Sequence, residues 1–283
     1  MAAMKESESP FHRFAAVSAF YAFFVLFAGG MVTSTGSGLA VPDWPMSYGR
    51  FMPAMVGGVY FEHGHRMIAG MVGALTWILA VWIHFTDERR WMRRLSLAAA
   101  VGIVLQGVLG GVTVLFGLPP QISASHAVLG QGLFACLIAI AQGSSSWYRE
   151  ASETPGGTLW KAGALAIGLL FVQLALGAYL RHTGAGLVPH LIGAAAAFWA
   201  VSRAAYLGQS DGGPAVRGVS IVMMVMALLQ VFLGLGALLG RDARAIGVLA
   251  LLPTAHQAMG ALILAATVLW TMRAYRVGAV KRA

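Results

Sequence analysis

Charge is what this chain has least of. Only 10% of its 283 residues are charged and ten are acidic, where an ordinary globular domain is about a quarter charged. Hydrophobic residues make up 58%. That balance excludes a soluble domain and leaves an integral membrane protein of several spans. Cysteine is scarcer still, with Cys136 standing alone inside an apolar run. A single cysteine excludes an intrachain disulfide, a cysteine-based zinc site and a thiolate-held cluster. Cys136 itself reads as a small buried hydrophobe. The net charge of +9 would point to nucleic acid only if it gathered on one face. Here the basic residues stand between apolar runs, so they read as topology signals and no nucleic acid is expected.

What the chain has in quantity is long apolar stretches. Eight of them, 14–32, 61–84, 95–117, 122–142, 159–180, 188–207, 217–239 and 253–275, are near the ~20 residues that cross the hydrocarbon as a helix. The first is too long for a signal-peptide core and lacks a clear small-residue cleavage site, so it counts as a span. With the N-terminus inside, the inner segments hold Lys5, Arg13, Arg89, Arg90, Arg93, Arg94, Arg149, Lys161, Arg203, Arg217, Arg273, Arg276, Lys281 and Arg282. The outer segments hold Arg50, Arg181, Arg241 and Arg244. Fourteen against four favours eight spans with both termini cytoplasmic.

The chain also repeats. Thr35-Gly36-Ser37-Gly38-Leu39 after the first span matches Thr183-Gly184-Ala185-Gly186-Leu187 after the fifth. Leu105-Gln106-Gly107-Val108-Leu109-Gly110 in the third matches Leu229-Gln230-Val231-Phe232-Leu233-Gly234 in the seventh, and Gln173 to Gly177 in the fifth is related. We expect an all-α membrane protein of two tandem four-helix bundles in parallel repeat. The bundles are 1–142 and 159–283, joined by a cytoplasmic linker, 143–158. The Gln-x-x-x-Gly segments read as helix-packing devices, since small residues allow close approach and an intramembrane Gln bonds across the contact.

Four histidines, His65, His126, His190 and His256, stand near the outer ends of alternate spans. A lone intramembrane histidine is usually a satisfied polar residue. Four at one depth, two per repeat, point instead to metal ligation. No thiolates or carboxylates accompany them to complete zinc sites. Two imidazoles from two helices suit the axial positions of a haem iron, whose other four ligands come from the porphyrin. The economical pairing is His65 with His126 and His190 with His256, with cross-half pairing left open. His12, His63, His84 and His182 are weaker candidates by position.

Glu62 is the only acidic residue inside a proposed span, where a carboxylate is costly and reads as functional by default. It lies one helical turn before His65, and Arg66 follows it at i+4, an ion-pair spacing. The second half has no counterpart. The outer segments are just as unequal: His65 stands 27 positions after Gly38, and His190 only four after Gly186. The longer one carries Val41-Pro42-Asp43-Trp44-Pro45. It reads equally as a lid over a substrate site or as an interfacial loop anchored by Trp44 and Tyr48.

Taken together, the Thr-Gly-Ser-Gly-Leu segment, the Pro42-Asp43-Trp44-Pro45 loop, Glu62-x-x-His65-Arg66, the Gln-x-x-x-Gly spans and the later histidines resemble the haem A synthase family. The resemblance implies a multi-pass oxidoreductase of the bacterial inner membrane, in contact with lipid. Haem O would be its substrate, on the axial ligands His65 and His126. A haem b prosthetic group would be held by His190 and His256. The C8 methyl of haem O would be oxidised to the formyl group of haem A for terminal cytochrome oxidases. Glu62 would be catalytic, through charge stabilisation, water steering or base action, and Arg66 would assist in binding. Haem O would come from a haem O synthase, electrons from an unidentified donor, and self-association is left open. The chain departs from the family in lacking paired outer-loop cysteines and in its short second outer loop. Two rival classes fit some of these residues. One is a dihaem b-type electron-transfer protein without chemistry of its own; the other is a repeat-built transporter using the histidines and Glu62 as a proton relay.

Overall fold

A computed structural model of the protein describes residues 9–150, 158–240 and 248–277. The chain termini, residues 151–157 of the expected linker, and Arg241 and Arg244 lie outside the described residues. Eight long helices carry the fold: α1 (Pro10–Ser34), α2 (Gly58–Thr86), α3 (Arg90–Leu115), α4 (Pro120–Ser144), α6 (Leu159–Thr183), α7 (Leu187–Asp211), α8 (Gly213–Leu239) and α9 (Val248–Val277). The short α5 (Ser146–Glu150) occupies part of the segment expected to be plain linker. Among the described residues there is no strand, only a bridge between Ser47 and Arg50.

Local chemistry sets the helix ends. The Ser9 hydroxyl accepts the His12 N–H at 3.2 Å and Pro10 opens α1, an N-cap followed by a residue whose missing N–H costs nothing there. Between α6 and α7 the chain reverses over three residues. Gly184 closes α6 at φ 74° and Gly186 starts α7 at φ 86°, left-handed positions that glycine adopts without strain. That chemistry is why the second outer connection can be so short.

All eight helices are long and apolar enough to cross a membrane, and the surface supports that reading. Phe20, Phe24, Trp77, Val81, Phe85, Ile221 and Val225 point outward, while the interior is built largely from alanine. Ala15, Ala19 and Ala22 on α1, and Ala197, Ala200, Ala204 and Ala205 on α7, are buried. In lipid, packing drives association more than water exclusion does, and small residues let backbones approach. The chain is a multi-pass membrane protein.

The helices pack as two closed rings. In one, α1 meets α2 and α4, and α3 meets α2 and α4; in the other, α6 meets α7 and α9, and α8 meets α7 and α9. The rings join through α4 and α9, with α1 against α9 and α4 against α6. Each ring has its own buried core, and each core receives residues from the other ring. Ala135 of α4 packs in the α6–α9 core, and Ala261 and Ala265 of α9 pack in the α1–α4 core.

Candidate functional site

The four histidines project from α2, α4, α7 and α9, and each imidazole lies against a glycine of the helix before it. A β-carbon on Gly29 would stand 3.1 Å from Cε1 of His65, and one on Gly110 would stand 3.1 Å from that of His126. On Gly177 it would be 3.0 Å from His190, and on Gly234 2.8 Å from His256. Any larger residue would push the ring away. Three of these glycines close the Gln-x-x-x-Gly segments, and the glutamines also address the rings. The amide nitrogen of Gln173 lies 3.0 Å from Nδ1 of His190. Those of Gln106 and Gln230 lie 3.4 Å from Nε2 of His126 and His256. A glycine one turn beyond each of these histidines, Gly130, Gly193 and Gly260, lies directly against that amide.

These segments were expected to serve helix packing. They do bring helices close, but the helix rotation also aims both Gln and Gly at an imidazole. A sequence signal existed: the glycine keeps its place four residues after each Gln, and Gly29 and Gly177 both precede the Thr-Gly-x-Gly-Leu segment by six residues. Hydropathy reports depth in the membrane and not rotation about the helix axis, so the pairing with histidine was hidden. The α1–α2 site differs from the rest, because Val25 occupies the glutamine register.

The pairing within each ring follows the geometry. The His190 and His256 rings are 6.3 Å apart between centroids and inclined by 73°. That is close to the roughly 6 Å expected of two imidazoles sharing one metal ion about 2 Å from each nitrogen. His65 and His126 stand on α2 and α4 of the other ring, each against its own glycine. Buried Nδ1 atoms of His65, His126 and His256 have no hydrogen-bond partner, a costly state for a buried polar atom unless something binds there. Among the described residues no three His, Cys, Asp or Glu converge as a metal cluster. Two imidazoles per site, with an open nitrogen on all but His190, fit an iron whose remaining ligands a porphyrin brings. As placed, the amide nitrogens face the rings, and that of Gln106 also donates to the His126 carbonyl at 3.0 Å; contacts of this kind fix a ring's orientation, as outer partners of metal ligands do.

Around His65 the loop between α1 and α2 adds a second layer. Glu62 is 3% exposed, and its Oε2 accepts the Val41 N–H at 2.8 Å. Its Oε1 takes the Arg66 guanidinium at 2.5 Å. Arg66 also donates to the carbonyls of Asp43 at 2.7 Å, Met46 at 2.8 Å and Val41 at 3.3 Å. The donors of Arg66 therefore go to the loop and to Glu62. Buried Ser47 and His63 bond at 2.7 Å, so His63, weak as a ligand candidate, ties the loop to α2. The Trp44 ring lies on Gly111, where a β-carbon would stand 2.7 Å from its Cδ2. That glycine is the neighbour of the His126 seat. At the tip, the Asp43 carboxylate accepts the Gly49 N–H at 2.8 Å and the Tyr48 N–H at 2.6 Å. Those two bonds hold its carboxyl below the usual carboxylate range. Both expected roles of the loop draw support: it closes over the His65 end of α2, and Trp44 and Tyr48 are exposed on it.

Comparison with known proteins agrees with the geometry. Residues 56–190 match the family model COX15–CtaA, described as a cytochrome oxidase assembly protein. That stretch holds Glu62, His65, Arg66, His126 and His190, while His256 lies beyond it. The chain is 31% identical over 169 residues to a heme A synthase of Bacillus licheniformis, covering 58% of this chain and 56% of that protein. It is 38% identical over 105 residues to a heme A synthase of Alkalihalophilus pseudofirmus, covering 36% and 35%. To a heme A synthase of Bacillus pumilus it is 33% identical over 128 residues, covering 44% and 42%. The chain thus spans about half or less of the length of the curated relatives it matches.

Proposed function

We propose that the chain is a haem A synthase of the COX15–CtaA family, whose model matches residues 56–190. The observation that carries the proposal is the inequality between two like sites: four imidazoles on four glycines, with a buried carboxylate and a loop at only one pair. In this reading the rings 1–142 and 159–283 are tandem parallel repeats about an axis along the membrane normal, joined by the linker 143–158. Both termini face the cytoplasm, as the loop charges favour.

Haem O would be the substrate, held by His65 and His126. Haem b is the resident cofactor, held by His190 and His256, with Gln173 and Gln230 orienting its ligands. The bound haems supply the redox chemistry that takes a methyl group to a formyl group. The chain's own residues position and shield. Gly29 and Gly110 seat the substrate ligands, and the latched loop keeps bulk water from the reacting face. Glu62 provides negative charge where positive charge develops on the substrate. Arg66 holds that carboxylate in place beneath the loop. Haem O would arrive from a haem O synthase, an external oxidant would take up the electrons that the methyl group loses, a separate donor would re-reduce the haems, and lipid surrounds the whole.

The test is extraction of haems from membranes that make haem O, with and without this protein, resolved by chromatography. Haem A should appear only with it. Purified protein carrying haem b while haem O passes through unchanged would favour the dihaem carrier. A colourless preparation despite ample haem supply would overturn both.

A further inference from the structure

Arg181 is the charged group that the site so far leaves unused. It stands in the last turn of α6, half-buried, where the two rings meet. Its guanidinium donates to the Pro253 carbonyl at 3.2 Å and the Gln257 side-chain oxygen at 2.7 Å, both on α9. It also donates to the Gly30 carbonyl at 2.9 Å and the Ser34 hydroxyl at 2.8 Å, both on α1. Ser34 in turn bonds Thr254 at 2.8 Å. Every one of these acceptors is neutral, and among the described residues no carboxylate lies within ion-pair distance of Arg181. The neighbours are telling. Gln257 follows His256 directly, and Gly30 follows the glycine that seats His65. A cation with no carboxylate partner among the described residues is therefore bolted between the immediate neighbours of both histidine pairs.

We propose that Arg181 is a positioning and tuning residue shared by the two sites, fixing the α1–α9 seam and keeping one positive charge beside the haem at His190 and His256. The inference rests on the haem reading above. A fixed cation disfavours the more positive, oxidised state of a nearby iron, so it raises the reduction potential. Because both of its terminal nitrogens are tied to neutral oxygens and the residue is half-buried, salt screens it less than an exposed charge. A unit charge on the order of 10 Å from a redox centre, at an effective dielectric of about 20, shifts a one-electron equilibrium roughly tenfold, or about 59 mV.

The experiment is a spectroelectrochemical titration of the full-length, haem-loaded protein. Arg181→Gln should lower the potential of the C-terminal haem by about 59 mV, while Arg181→Lys, which keeps the charge, should shift it far less. Should the Gln variant not accumulate, Ser34→Asp neutralises the same charge and keeps its fork, and the same fall is expected. Haem bound with potentials unchanged in both Arg181→Gln and Ser34→Asp would leave Arg181 a mechanical brace and overturn the proposal. Wild-type protein that binds no haem would overturn the parent reading instead.

Discussion

At the scale of single residues, Glu62 has a structural task beside the catalytic one proposed for it. Its position one turn before His65 argued for chemistry, and its partners show it also latches the loop through the Val41 N–H and Arg66. Glu62→Ala removes both acceptors and strands a largely buried guanidinium, at a cost of about 3 kcal/mol. Glu62→Gln still offers an oxygen to Val41 and should cost less. We expect the Ala variant to bind haem, lose conversion and show faster hydrogen exchange across residues 41–47. The Gln variant should lose conversion with near-normal exchange. Full conversion by the Gln variant would remove the carboxylate charge from the reaction. Asp43 gives a pH signature. Its folded carboxyl sits below the ordinary value of 3.8, so its contribution is fully present above that value and is lost as pH falls through the lower folded one. Protection of the Tyr48 and Gly49 amides, corrected for intrinsic rates, should persist down to about pH 4 and fail below it. Asp43→Asn should abolish that dependence.

At the scale of elements, each site is a helix pair: a glycine on one helix, a histidine on the next, and at three of the four a glutamine one turn from the glycine. Gly234→Ala would put a β-carbon 2.8 Å from the His256 ring, and Gly110→Ala would crowd His126 at 3.1 Å. Overpacking of this kind costs about 1–3 kcal/mol, enough to turn an imidazole off an iron. Each variant should lose one low-spin haem signature and keep the other, with Gly234→Ala the more severe. Loss of neither signal would mean that the rings reach no iron. How much of this was legible follows from the same geometry. The eight helices were readable because apolar length is a local property of the chain; their ends were not, and the helices run up to five residues past the expected bounds. So was the depth of the four histidines. The latch from Glu62 to Val41, the Trp44 ring on Gly111 and the Arg181 fork were not readable. They join residues 21 to 151 positions apart, and hydropathy does not specify the rotation that makes such contacts. The short outer turn was visible as a difference in length; that Gly184 and Gly186 supply its left-handed backbone needed the structure.

At the scale of the whole molecule, the two rings are not independent bundles lying side by side. Each lends an alanine to the other's core, Ala135 in one direction and Ala265 in the other, both buried. These residues stand nine positions after His126 and His256, so the seam and the ligands share the same two helices. A change in seam packing should therefore reach both sites along rigid helices. Ala135→Leu and Ala265→Leu each add a branched side chain where the helices touch, and each should cost about 1–3 kcal/mol. Ile221→Leu, on the exposed face of α8, makes a comparable swap against lipid and should be near neutral. The readout is thermal unfolding in detergent, followed together with the two haem absorption signals. If the rings behave as one body, each seam variant should release both haems in a single transition at lowered temperature. Separate transitions, with only the overfilled ring losing its haem, would show instead that the rings unfold as independent units.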